Sequence, residues 1–114
     1  MIIEAGMAAF VTGGGSGIGR GIALSLARRG VRVGVCDIRE SDAAETARQI
    51  QVAGGVSIPV AVDVSELQSV EDAVNTVESA FGEIVIACNN AGIALHGVPL
   101  HEITAADWDW VIGV

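Results

Sequence analysis

At 114 residues the chain is sized for one small domain, and 51% hydrophobic residues supply material for a sizeable core. Six arginines and no lysine stand against 14 acidic residues, and the net charge of −8 excludes a sequence-independent attraction to nucleic acid or anionic lipid. No run reaches the ~18 to 20 apolar residues that span a bilayer, and the start Met1-Ile-Ile-Glu-Ala-Gly6 lacks the basic region of a signal peptide, so a cytoplasmic location is expected.

Apolar runs alternate with helical patterns, which predicts βαβ units and a parallel sheet covered on both faces. A first strand over Met7 to Val11 runs into Thr12-Gly-Gly-Gly-Ser-Gly-Ile-Gly19. A helix opens near Gly17, carries Ile18, Ile22 and Leu26 on one side, and stops at Gly30. The second strand, Val31 to Cys36, ends at Asp37; Ser41 is the expected N-cap of a helix from Asp42 to Ala53, with Gly54-Gly55 as its terminator. The third strand, Ser57 to Val62, ends at Asp63, and Ser65 with Gln68 predicts a capping box for a third helix. The apolar stripe of that helix is Val70, Ala73, Val74, Val77 and Phe81, and Gly82 stops it. Ile84 to Cys88 is the fourth strand, closed by Asn89-Asn90-Ala91-Gly92. After a loop through Pro99, Thr104 is expected to cap a last helix on which one of Trp108 and Trp110 packs in the core and the other meets a second subunit. Cys36 and Cys88, each in a strand-like run, read as small buried hydrophobes. The sequence ends within the last helix and leaves strand four as an open edge, so residues 1–114 are expected to be the N-terminal part of one domain of a longer chain.

A phosphate needs several N–H donors at close range and no Cβ in the way, and glycines at a strand-to-helix turn meet both needs. Gly13, Gly15, Ser16, Gly17, Ile18 and Gly19 therefore form a candidate site for a dinucleotide pyrophosphate. Asp37, with Ile38 beside it, stands at the end of strand two, where a carboxylate accepts from the two hydroxyls of an adenosine ribose. Its charge would repel a 2′-phosphate, which favours NAD over NADP, while Arg39 is a candidate partner for such a phosphate. Asp63 and Val64 lie on the same carboxyl edge of the sheet, either beside an adenine or as an ordinary turn before Ser65. Ser16 and Ser65 have no histidine near them in sequence, and His96 and His101, five residues apart without a third ligand, form no metal-binding pattern.

Thr12-Gly13-x-x-x-Gly17-Ile18-Gly19, Asp37, Asp63-Val64 and Asn89-Asn90-Ala91-Gly92, in that order, resemble the short-chain dehydrogenase/reductase family over nearly the whole chain. The resemblance implies an α/β, Rossmann-type, doubly wound parallel sheet, interrupted after the fourth strand and part of the following helix. It also implies hydride transfer between a secondary alcohol or carbonyl and the nicotinamide of NAD(P), in a homodimer or homotetramer. By the same resemblance the glycine loop binds pyrophosphate, Asp37 the ribose and Asp63-Val64 the adenine, while Asn90, Ala91 and Gly92 lie along the cofactor. Family catalysis runs through an Asn on the helix after the Asn-Asn-Ala-Gly loop, then a Ser, then a Tyr and a Lys separated by three residues. The chain contains neither Tyr nor Lys, and Trp108 resembles a family Trp that places the catalytic Asn just beyond Val114. No catalytic residue is assigned, and the 114 residues alone are expected to be inactive. Two alternatives are a stand-alone nucleotide-binding module and a sugar-nucleotide epimerase or dehydratase, whose usual G-x-x-G-x-x-G spacing Gly13, Gly17 and Gly19 do not match.

Overall fold

Strands β1 (Ala8–Thr12), β2 (Arg32–Asp37), β3 (Ser57–Ala61) and β4 (Ile84–Cys88) alternate with helices α1 (Gly17–Arg28), α2 (Glu40–Val52) and α3 (Leu67–Phe81) in the computed structural model, which describes residues 1–114. A single 3-10 turn at Leu100–Glu102 precedes α4 (Ala105–Gly113). All strand pairs are parallel, and the sheet order is β3-β2-β1-β4.

The strands lack strict alternation because the central ones are covered on both faces. Every residue of β1 is buried. Ala9 and Val11 face α1 and α2, packing with Ala23, Leu26, Ala47 and Ile50, whereas Ala8 and Phe10 pack with Ala73, Val77 and Phe81 of α3. Gly34 of β2 lets α3 come close, since a Cβ there would collide with the Val77 side chain. No helix is long and apolar enough to cross a membrane.

Several local expectations are corrected. β1 includes Thr12 rather than ending at Val11, and α2 starts at Glu40, with Arg39 at the N-cap and Ser41 inside the first turn. The predicted Ser65 capping box does not form, because the Ser65 hydroxyl and N–H both donate to Asp63 Oδ1; α3 begins at Leu67 and Gln68 turns to Asp72. At α4 the capping box does form, between Thr104 and Asp107. Of the expected row, Leu26 is buried and Ile22 packs partly buried against the core, but Ile18 is 78% exposed, and Gly19 and Ala23 complete the buried side of α1. Neither Trp108 nor Trp110 enters the core, as α4 has no buried residue.

Replacing Gly34 by Ala is expected to cost about 1–3 kcal/mol through overpacking against α3, read as a lower urea midpoint. Adding Val77→Ala should recover part of that loss, and an unchanged midpoint in Gly34→Ala would contradict the close approach. The Cys36 thiol is fully buried, and burial pushes it from 9.0 up to about 12. With no Tyr or Lys in the chain, the thiols dominate titration in that range. The unfolded state loses its Cys36 proton first, so stability should fall as pH rises from about 9 to 12, with a slope that Cys36→Ala flattens. Equal slopes in the two proteins would refute this coupling.

Candidate cofactor site

The sheet order reverses at β1: the chain steps outward through β2 to β3, then returns to lay β4 on the other side of β1. The loops leaving β1 and β4 part at the carboxyl edge, which is where open α/β sheets bind ligands. A cleft of about 570 Å³ opens there, lined by Gly13, Ser16, Gly17, Ile18, Asp37, Ile38, Asp63, Val64, Asn90, Ala91 and Gly92. Of the residues singled out from sequence, Gly15 and Gly19 are buried behind this wall.

Gly13 and Gly17 have φ of +63° and +52°, the left-handed region that favours glycine. A Cβ on Gly13 would stand 2.8 Å from Asn90 Nδ2 and 3.0 Å from Ala91 Cα, so this turn passes under the β4 loop only when bare. Gly17 has nothing within 4 Å of that position and borders the open cleft. A Cβ on Gly19 would run into the Gly13 carbonyl and the Asn90 amide, which makes it a packing glycine between α1 and the turn. Ser16 caps α1 without a side-chain bond, and the first turn holds no acidic residue. The leading N–H groups of a helix have no intrahelical acceptor, so this positive end is open to an anion.

The two loops are joined through Thr12. Its Oγ1 accepts from the N–H groups of Asn90 and Ala91, each at 3.1 Å, and lies 3.4 Å from the Cys88 carbonyl. Asn90 Nδ2 in turn donates to the carbonyls of Thr12 at 3.1 Å and Gly13 at 3.3 Å. Asp37 is braced on both oxygens: Gly15 N–H donates to Oδ2 at 2.9 Å and Arg39 N–H to Oδ1 at 3.0 Å. Each oxygen retains acceptor capacity for a ligand hydroxyl. The Ser65 hydroxyl, 2.6 Å from Asp63 Oδ1, and the Ser65 N–H hold the Asp63 carboxyl below its usual range, so this acid both makes the local turn and lines the cleft.

Four further residues line the cleft: Val62, Ile93, Trp110 and Val114. Val62 and Ile93 adjoin residues already singled out, and the four-residue interval between Trp110 and Val114, which puts them on one helix face, was the available signal for that pair. His96 and His101 are exposed and outside the cleft, and no cluster of metal-ligating side chains is present.

A parallel sheet with a glycine turn at its reversal point is a Rossmann-type α/β domain. The chain belongs to the short-chain dehydrogenase/reductase family, whose model, described as short chain dehydrogenase, matches residues 7–114. It is 40% identical over 102 residues to the short-chain dehydrogenase/reductase homolog YusS of Bacillus subtilis (strain 168), covering 89% of this chain and 93% of that relative. Further curated relatives are longer, and the chain spans 17% to 42% of their lengths. A crystal structure of a short chain dehydrogenase/reductase from Burkholderia phymatum in complex with NAD superposes with TM-score 0.93 at 37% identity, covering 100% of this chain and 40% of that one. A metagenomic short-chain oxidoreductase in complex with NADP gives TM-score 0.90 at 33% identity, covering 98% of this chain and 51% of that one.

Thr12→Val removes the shared acceptor and leaves the Asn90 and Ala91 N–H groups unpartnered, at a cost of about 1–3 kcal/mol. Amide exchange at these two residues should accelerate ahead of the rest of the sheet. Unchanged exchange would show that the joint does not depend on the hydroxyl.

Proposed function

We propose that the chain is the coenzyme-binding portion of an NAD-dependent short-chain oxidoreductase that moves hydride between a secondary alcohol or carbonyl and nicotinamide. The observation that carries this reading is one cleft wall combining a bare glycine turn, a helix N-terminus with no side-chain cap bond and a carboxylate braced on both oxygens. These suit a diphosphate and a ribose diol respectively. When bound, the nicotinamide supplies the hydride acceptor or donor. The chain's own part is to seat the pyrophosphate at Ser16, Gly17 and Ile18, the ribose at Asp37, and the adenine beside Ile38, Asp63 and Val64, with Asn90, Ala91 and Gly92 along the cofactor.

The two solved relatives differ, one holding NAD and the other NADP. For this chain the Asp37 charge favours NAD, because a 2′-phosphate would face a fixed carboxylate. Proton transfer is assigned to a Tyr and Lys outside these residues, since the chain has neither. A homodimer or homotetramer in the cytoplasm is the assembly proposed for the longer enzyme. The near-equal extent of YusS favours a second reading, a non-catalytic nucleotide-binding module. The coding sequence beyond Val114 separates the two: a Tyr-x-x-x-Lys downstream supports the enzyme, and a stop codon favours the module.

Titration of the 114-residue chain with NAD, followed by amide NMR, is expected to give an affinity on the order of millimolar, about −4 kcal/mol. Shifts should centre on Gly13 to Ile18, Asp37 and Asn90 to Gly92, with no oxidation of secondary alcohols. Tighter binding of NADP would overturn the NAD assignment, and measurable turnover would overturn the division between cofactor site and chemistry.

A further inference from the structure

Arg20 lies one turn into α1 and forms no ion pair. Its Nε donates at 2.9 Å to the hydroxyl of Thr46 on α2, a side chain with 0% exposure, and its Nη2 donates to the Gly15 carbonyl. Gly15 passes the constraint on, because its own N–H is the 2.9 Å donor to Asp37 Oδ2. A Cβ on Gly15 would stand 2.7 Å from both Asp37 Oδ2 and Asp42 Cβ, so the loop and the acid are in direct contact with no slack between them. The hydrogen-bonded chain thus runs from the buried interior of α2, through a guanidinium and a glycine, to the carboxylate at the cleft rim.

We propose that Arg20 is a positioning residue for nucleotide selectivity: anchored on Thr46, it sets the Gly15 backbone so that Asp37 meets the ribose in one orientation and excludes a 2′-phosphate. A carboxylate free to swing could turn away from an added phosphate, whereas one held by the loop cannot, so selectivity depends on the anchor as well as on the charge. The planar fork of the guanidinium reaches Thr46 and Gly15 together, a geometry that an ammonium, acting as a point charge on a flexible stem, does not reproduce. This inference rests on the reading of Asp37 as the ribose acid.

The test is NMR titration of the wild-type chain, Arg20→Lys, Arg20→Met and Thr46→Val with NAD and, separately, NADP. The Gly15 amide resonance is followed without nucleotide as well. The expected result is that both Arg20 variants lose NAD affinity by about five- to tenfold, the scale of one ordinary hydrogen bond, while NADP affinity changes less and the NAD preference collapses. The Gly15 amide should move in each variant in the direction seen for Asp37→Ala, and Thr46→Val should shift it partway. Thr46→Val and Arg20→Lys keep the test decisive if Arg20→Met fails to fold. Equal losses for NAD and NADP in Arg20→Met, with both restored in Arg20→Lys, would show a simple charge effect and overturn the proposal. A wild-type chain that prefers NADP or binds neither would overturn the Asp37 reading together with this one, whereas a wild-type NAD preference that survives unchanged in every variant would overturn the Arg20 role alone.

Discussion

The hydroxyl of Thr12 holds the carboxyl edge of the sheet together. It takes the N–H groups of Asn90 and Ala91, while the Asn90 amide reaches back to the carbonyls of Thr12 and Gly13. These bonds tie the last residue of β1 and the turn after it to the loop that follows β4, beyond the β1–β4 ladder, whose last pair is Val11 with Cys88. The crossing also sets how near the two loops pass, and that separation is small enough to require glycine at positions 13 and 19. The cleft follows from this joint. With the turn pinned beneath the β4 loop, α1 starts at a defined point, and its first residues line the same cleft as Asn90, Ala91 and Gly92.

The architecture was largely legible in the sequence because burial on both faces writes strands as unbroken apolar runs. The β1 run is the clearest case, buried at every residue, while Ile84 to Cys88 was predicted and found with the same bounds although only Ile86 in it is buried. The errors arise where two short-range options compete for the same polar group. Ser65 could cap α3 or bond back to Asp63, and the sequence shows both partners without showing which is nearer. Thr104 has the same freedom in principle, but Asp107 reciprocates its bond, and there the cap forms. Ile18 failed for a different reason: helical periodicity marks apolar residues on a face but does not distinguish the core from the wall of a cleft.

Site residues followed the same division. Those defined by backbone need, such as Gly13 and Gly17, could be read because glycine at a strand-to-helix turn has few other reasons to be there. Trp110 and Val114 could not, since their place in the cleft depends on where α4 lies after a long loop. Gly15 shows the limit of motif reading from the other side. It belongs to the glycine loop in sequence, yet in space it is buried and its N–H is engaged by Asp37. Its contribution to a ligand would be indirect, through the acid it orients.

The charge balance of the chain makes sense in these terms. A protein with net charge −8 has no general attraction to offer a diphosphate, so the proposed anion site must rely on local donors. Helix N–H groups and glycine amides provide fixed partial charges that do not alter the overall balance. The single cation at the base of the loop, Arg20, spends its hydrogen bonds on Thr46 and Gly15 rather than on a carboxylate. A full positive charge inside the cleft would attract a 2′-phosphate as readily as a pyrophosphate, and would weaken the discrimination proposed for Asp37. Backbone donors at the loop, a carboxylate at the proposed ribose position and a guanidinium kept behind the wall form a consistent arrangement, in which the proposed binding strength and selectivity would come from different groups.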